Sequence, residues 1–357
     1  MILRDLLRVL GSSDRRDGRN LTHDEAYRAF CTILDGQESE IRIGAFLIAM
    51  RWKGVTVEEL TGFARAARER STLPCTDLPG VVTLCPPLDG YDERPPLEVA
   101  AGLVAAGAGV RVLLLTEKNV PPRRGLTAAW VLEELSAGMC WEPAEAEALV
   151  RETGFAGISA SGMLPPLLEL RRVRGDIGVR TPLSTVEKLI VPPTSSVVLG
   201  AQHGPVLGTA VETMAGLGHP SGIAIQGLAG GVIPTLCRRT RGIELAGRHQ
   251  TPLTVEPSDF GLASDENPEL PMYGPPEEGQ GSGDNPMLVR AASDMVDAVL
   301  KGETGAARNA TLLGAAVALK AVGKVLTLAE GVDTAIRSLD SGAALRVLDR
   351  LRDLRAG

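Results

Sequence analysis

The six residues Val110–Leu115 are apolar except for Arg111, with Val112–Leu115 unbroken. A run this short and this apolar suits a parallel strand covered on both faces. Upstream, Leu97–Ala108 is a helix-forming stretch rich in Ala and Val, with Gly102 and Gly107 where a missing Cβ lets another element come close. Downstream, the polar loop Thr116–Gly125 leads into a second helix, Thr127–Leu135. Helix, strand, polar loop and helix in this order constrain the chain to an α/β sheet, where ligands bind outside the carboxyl ends of the strands. Lys118, Asn119, Arg123 and Arg124 are therefore expected where an anion would be held. They lie beside the start of a helix whose N-cap is expected to be Thr127, and a helix N-terminus adds donors and partial positive charge.

The remainder divides around this unit. Met1–Leu10 reads as a helix, and Leu21–Arg70 reads as three more, two of them opened by capping boxes, Thr22 with Glu25 and Thr56 with Glu59. A Pro-rich connection, Leu73–Pro87, follows this all-helical module. Strands are then expected at Val81–Leu84, Phe155–Ser159, Ser196–Leu199, Gly222–Ile225 and Ile243–Leu245. Helices are expected at Pro143–Gly154, Leu164–Arg174, Ser184–Ile190 and Pro205–Gly216, and four more between Leu288 and Leu354. The division is a helical domain over 1–72, joined by helices within 164–192, and an α/β domain over 78–163 and 193–357.

With 357 residues and 3% aromatic content, the chain has no apolar run approaching a membrane span. The first residues lack a signal-peptide core, so a cytoplasmic protein is expected. The five cysteines have no CxxC spacing, which points to neither a zinc site nor a disulfide framework. Glu256–Val289 carries eight acids and no Lys or Arg, so of the net charge of −7 the rest of the chain holds +1. Within it Glu256–Pro286, rich in Pro and Gly, is expected to be a long, partly extended loop. Basic clusters at Arg171/Arg172/Arg174 and Arg238/Arg239/Arg241 read as solvated surface, or as phosphate contacts if they share a face.

Ile33–Arg70 (ILDGQESEIRIGAFLIAMRWKGVTVEELTGFARAARER), Gly178–Pro193 (GVRTPLSTVEKLIVPP) and the helices of Gly305–Leu345 together resemble the anthranilate phosphoribosyltransferases of glycosyltransferase family 3, in order and over nearly the whole chain. The resemblance implies the anthranilate phosphoribosyltransferase/nucleoside phosphorylase-type fold: an α/β domain with a small all-helical N-terminal domain. It also implies a homodimer through the helical domains and phosphoribosyl transfer with magnesium. The family's GTGGD loop, whose bare N–H groups cradle pyrophosphate, falls on Leu88-Asp89-Gly90-Tyr91-Asp92-Glu93-Arg94-Pro95, where one glycine survives. Its HGNRSVSSKSG segment falls on Leu115–Gly125, with Lys118 on its Arg, Arg123 on its Lys, and Pro121 and Pro122 on its serines. Its magnesium-binding DGLDE segment falls on Gln226–Ile233, which has no acid. Arg180 falls on the arginine that grips the anthranilate carboxylate. The pattern is similar to a second, divergent branch of the family, some of whose members are described as binding nucleic acid.

The expected ligand-binding set is Asp89, Gly90, Tyr91, Lys118, Asn119, Arg123, Arg124, Thr127, Arg180, Lys188, Gly227 and Gly230, with no catalytic and no metal-ligating residue. Each has a blander reading. The Lys118 loop could be solvated, and Arg180 and Lys188 could be a salt bridge to Glu187 or Asp176. Tyr91 could pack rather than stack, and Asp89, Asp92 and Glu93 could hold a metal. The leading expectation is a homodimer that binds a polyanion, nucleic acid or a phosphorylated small molecule, without a cofactor and without a membrane. The alternative is a pentosyl transferase with another donor or acceptor, which would need magnesium. A third reading is a partner-docking protein that uses the acidic loop.

Overall fold

The computed structural model describes residues 2–11, 18–272 and 279–356. Helices α1 (Ile2–Leu10), α2 (His23–Leu34), α3 (Glu40–Lys53) and α4 (Val57–Glu69) form the N-terminal module. Both expected capping boxes are present. Thr22 Oγ1 accepts from Glu25 N and Thr56 Oγ1 from Glu59 N, while each glutamate accepts from its cap's backbone. Buried Phe30, Phe46 and Phe63 fill the module's centre, with ring centroids 5.4 Å apart for Phe30–Phe63 and 6.1 Å for Phe46–Phe63. Phe63→Ala would remove both contacts and cost about 3–5 kcal/mol.

A seven-stranded sheet carries the second layer: β1 (Val81–Cys85), β2 (Arg111–Thr116), β3 (Phe155–Ser159), β4 (Ser196–Gly200), β5 (Ser221–Ile225), β6 (Thr240–Ala246) and β7 (His249–Val255), in the order β3-β2-β1-β4-β5-β6-β7. The five strands from β3 to β5 are parallel, and β6 and β7 add an antiparallel edge. The run Val110–Leu115 is β2 shifted by one residue, and its Val112–Thr116 are buried. The close approaches expected at the upstream helix α5 (Glu98–Gly107) are present. A Cβ on Gly102 would lie 2.7 Å from the Phe155 ring, and one on Gly107 2.5 Å from Ser338 Oγ.

The chain winds from β1 through β2 to β3, then returns to the other side of β1 for β4 and β5. The direction therefore reverses between β1 and β4, and the carboxyl ends of those two strands open the crevice of a doubly wound sheet. Helices α6 (Ala128–Glu134), α7 (Pro143–Thr153), α8 (Ala160–Met163), α9 (Pro166–Ile177), α10 (Leu183–Val186) and α11 (Gly204–Gly216) fill the crossovers. Helix α9 lies against α3, where Ile177 comes within 3.9 Å of the Cβ position of Gly44. Helices α12 (Pro286–Leu300), α13 (Ala306–Ala321), α14 (Leu328–Asp340) and α15 (Ala343–Ala356) close the chain.

The acidic segment differs from the expected loose loop on either side of 273–278, which lies outside the described residues together with Glu277 and Glu278. Leu270 N donates to Glu93 O at 2.9 Å, Asn267 Oδ1 accepts from Leu236 N at 2.8 Å, and Arg94 pairs with Glu269 at 2.7 Å. Gly281 packs directly on the Arg123–Arg124 backbone. These contacts tie the segment across the loops of the crevice.

Candidate functional site

After β1 the chain turns through Pro87, Leu88 and Asp89, and after β4 through Ala201 and Gln202. The short turn Leu183–Leu189 lies opposite and brings Ser184 and Lys188 to the same point. Between them is a cavity of ~190 Å³, also lined by Arg51, Arg180, Thr181 and Gly230. Asp89 is buried, and both its oxygens are held by Arg180: Nε to Oδ2 and Nη2 to Oδ1, each at 2.6 Å. Arg180 Nη1 donates to Gln202 Oε1 at 3.3 Å, and Arg51 Nη1 donates to the Arg180 carbonyl. The salt bridge considered for Arg180 thus has a different partner. Glu187 is taken by Arg174, a buried guanidinium that also donates to Pro121 O at 2.9 Å.

Lys188 Nζ donates to Gly200 O at 2.7 Å and makes no ion pair among the described residues. Burial, reinforced by the positive charge of Arg180, pushes its ammonium down to about 8.

The loop expected to replace the pyrophosphate cradle is closed against its neighbour. Tyr91 N donates to Leu126 O at 2.9 Å, Leu126 N to Tyr91 O at 2.8 Å, and Gly125 N to Asp89 O at 2.8 Å. Gly90 sits at φ +76°, and a Cβ there would lie 2.5 Å from the Gly125 carbonyl carbon. Those N–H groups therefore serve the protein's own carbonyls. Tyr91 packs rather than stacks: it is buried, and a Cβ on Gly231 would lie 2.2 Å from its hydroxyl. Beside it, Glu98 Oε2 is buried without a hydrogen-bond partner among the described residues, and burial raises the Glu98 carboxyl to about 7.

The loop cations are likewise engaged. Arg123 Nη1 donates to Gly90 O at 2.8 Å, and its Nε approaches Asp92 at 3.3 Å. Arg124 donates to Gly279 O at 2.8 Å. Lys118 pairs with Glu133, and its ammonium lies 4.2 Å from the centre of the Trp130 ring. Asn119 has φ +56° and a buried Oδ1 with no partner among the described residues. Thr127 occupies the N-cap position of α6, but its side chain does not cap. Its Oγ1 donates to Glu117 O at 2.5 Å, while Thr116 Oγ1 accepts from Ala129 N at 2.9 Å.

The Arg171/Arg172/Arg174 cluster is not a shared surface. Arg171 binds buried Glu117 at 3.0 Å, Arg172 reaches Glu40 at 3.5 Å, and Arg174 is buried. Arg238, Arg239 and Arg241 do line one open hollow with Gln226 and Glu256. Arg239 pairs with Glu256 at 3.5 Å, while Arg238 and Arg241 make no ion pair among the described residues. Gln226 Nε2 donates to Gln202 O at 3.3 Å, which joins this hollow to the cavity at Arg180.

Magnesium does not fit the residues present. Gly227 and Gly230 shape a tight turn after β5. A Cβ on Gly227 would lie 2.3 Å from Gly231 O, and Gly230 has φ +81°. The segment Gln226–Ile233 offers no carboxylate to a hard cation. Asp89 and Asp92 face two different arginines, so they form no joint ligand set with Glu93. Among the described residues no group of three His, Cys, Asp or Glu side chains is placed to hold a metal ion.

Arg51 and Gln202 were absent from the expected set. Arg51 lies within the resembling stretch Ile33–Arg70 but reads there only as part of a helix; the approach of α3 to the turn at Arg180, and of the turn after β4 for Gln202, reveals them.

Two family descriptions match the chain: "Glycosyl transferase family, helical bundle domain" over residues 14–71 and "Glycosyl transferase family, a/b domain" over 97–345. The chain is 30% identical over 338 residues to an anthranilate phosphoribosyltransferase of Symbiobacterium thermophilum, with 94% of each chain covered. It is 28% identical to one of Bacillus cereus, again with 94% of each covered. Its structure is similar to that of anthranilate phosphoribosyltransferase from Thermus thermophilus, with TM-score 0.80 and 24% identity, covering 100% of this chain and 99% of that one. The Saccharomyces cerevisiae enzyme in complex with PRPP and Mg gives TM-score 0.78 and 18% identity, covering 99% and 98%. Scaffold, domain order and sequence agree: the chain belongs to glycosyltransferase family 3, as an anthranilate phosphoribosyltransferase-like protein.

Proposed function

We propose that this protein keeps the family scaffold without magnesium-dependent phosphoribosyl transfer, and that it binds a polyanion, nucleic acid being the named candidate, along the mouth of the crevice. The observation that carries the first half is the closed loop. The amides at Gly125, Leu126 and Tyr91 are bonded to backbone carbonyls, Tyr91 fills the space over Gly231, and no carboxylate follows β5. Supporting the second half, Arg238 and Arg241 are exposed and, among the described residues, without carboxylate partners, next to the crevice through Gln226 and Gln202. The loop cations Lys118, Arg123 and Arg124 no longer support it, because each has an internal partner.

Fluorescence anisotropy with a labelled oligonucleotide across a salt series tests the polyanion reading. Replacing both Arg238 and Arg241 with Glu should weaken binding and lower the slope of log affinity against log salt by about 1.4, at about 0.7 for each single-strand phosphate no longer neutralised. No binding to the native protein at low salt would remove the reading.

The second reading is a transferase with a different donor or acceptor. It draws on the names of the relatives and on the cavity at Arg180 and Lys188. Binding of phosphoribosyl pyrophosphate that requires magnesium would select it. A homodimer is proposed on a separate ground: Ile41, Ile48 and Trp52 lie along one face of α3 and are exposed, Trp52 at 92%, with Leu168 of α9 and Val179 exposed on the elements packed beside it.

A further inference from the structure

Lysine is scarce in this chain, at six residues. Four of them hold carboxylates: Lys53 pairs with Glu59, Lys118 with Glu133, Lys301 with Asp297 and Lys320 with Glu244. Lys324 is exposed and, like Lys188, makes no ion pair among the described residues. Of the six, Lys188 is the one that lines the cavity between β1 and β4. It stands in the turn after α10, and its Nζ donates across the cavity wall to Gly200 O, at the end of β4.

We infer that Lys188 is an imine-forming amine, and that the cavity around it is a covalent binding site for a small aldehyde. The inference goes beyond polyanion binding at the surface and holds or fails independently of it.

A lysine becomes a nucleophile near neutral pH when its ammonium is desolvated, when another cation lies beside it, and when no carboxylate holds its proton. Lys188 meets each condition. Its stem enters the cavity wall, and the Arg180 guanidinium lines the same space. The anions around it are committed elsewhere. Both oxygens of Asp89 are held by Arg180, and both of Glu187 by Arg174. The buried Cys85 thiol is pushed up to about 12 and stays neutral. With its ammonium drawn down to about 8, about one Lys188 amine in ten is neutral at pH 7, against about one in 3,000 for an ordinary lysine at 10.5.

The space selects the carbonyl compound. A buried apolar cavity of about 150 Å³ takes up one benzene-sized molecule, so ~190 Å³ is room for one ring or a short chain. Leu88, Leu199 and Val206 give the cavity an apolar side, and a neutral aldehyde brings no charge to desolvate against it. Lys188 is half-buried, which leaves it open to a small reagent. The neutral amine attacks the carbonyl carbon, and the Nζ–C bond forms. The carbonyl oxygen takes one proton from nitrogen and one from solvent and leaves as water. Ammonium and aldehyde thus give a protonated imine and water, with no oxidant or reductant. The product keeps its positive charge and one N–H, which Gly200 O accepts as before.

Reductive trapping on the full-length protein tests this. Benzaldehyde with cyanoborohydride at pH 7, followed by peptide mass mapping, should place a benzyl group on Lys188 at least about tenfold faster than on Lys324. The exposed, unpaired amine of Lys324 is the control within the same chain. Lys188→Arg keeps the charge and a donor for Gly200 O but cannot form an imine, and it should lose the fast adduct. A four-ring aromatic aldehyde exceeds the cavity and should show no preference for Lys188. Modification of Lys188 no faster than Lys324 would overturn the inference. A fast adduct that survives Lys188→Arg, or a preference for Lys188 retained by the large aldehyde, would do the same by moving the reaction out of the cavity. Oligonucleotide binding by Lys188→Arg should match that of the native protein, which separates this site from the surface one.

Discussion

Glu98 is the sharpest place to perturb the closed loop. It opens α5, it is 1% exposed, and one carboxylate oxygen has no partner among the described residues. Its surroundings are Tyr91, Leu97, Leu228, Ile233 and Pro268, with Arg94 at the edge. The helix N-terminus favours a negative charge there, but burial among these side chains dominates and raises the carboxyl from 4.5 to about 7. The sign follows from linkage. The folded protein holds this proton more tightly than the unfolded chain, so the stabilisation is complete below about 4.5 and is lost as pH rises through 7. At about 1.4 kcal/mol per pH unit, the loss amounts to about 3 kcal/mol by pH 8. Glu98→Gln keeps the shape and cannot ionise. Urea unfolding followed by circular dichroism should find the two proteins equal near pH 4. The variant should gain steadily above that, reaching up to about 3 kcal/mol at pH 8. A difference that does not change with pH, or a variant less stable than the native protein at pH 8, would refute the reasoning.

Gly231→Ala should cost about 1–3 kcal/mol by forcing a methyl into the Tyr91 hydroxyl, as overpacked sites do. Tyr91→Phe in the same chain should recover part of that loss, a non-additivity readable in a double-mutant cycle. Trp52→Glu should convert a dimer to a monomer in light scattering after size exclusion, and an unchanged mass would place any interface elsewhere.

Much of the fold is legible in local pattern. The capping boxes at Thr22 and Thr56 fix two helix starts because cap and third residue satisfy each other's backbone groups. The apolar run Val112–Leu115 reads as a strand because a doubly covered strand has no polar face to alternate with. Strand β7 is not legible: His249–Val255 is exposed at five of seven positions and contains Pro252, which suits an edge strand and resembles a loop in sequence. The site is half legible. The position of Asp89, Gly90 and Arg180 around one crevice follows from motif order. That Asp89 would turn onto Arg180, that Lys118 would turn away to Trp130 and Glu133, and that Arg174 would be buried against Glu187 depend on contacts between residues well separated along the chain, 91 positions apart for Asp89 and Arg180. No periodicity reports these. The expected capping by Thr127 fails for a similar reason: the hydroxyl of Thr116, at the end of β2, reaches the helix amide first.

Calorimetric titration of phosphoribosyl pyrophosphate into the full-length protein, with and without magnesium, decides whether the family's chemistry has been given up. The loop closed at Gly90 and Tyr91 and the segment without acids after β5 predict no saturable heat in either case. A saturable isotherm that appears only with magnesium would contradict this reading and return the protein to the transferases.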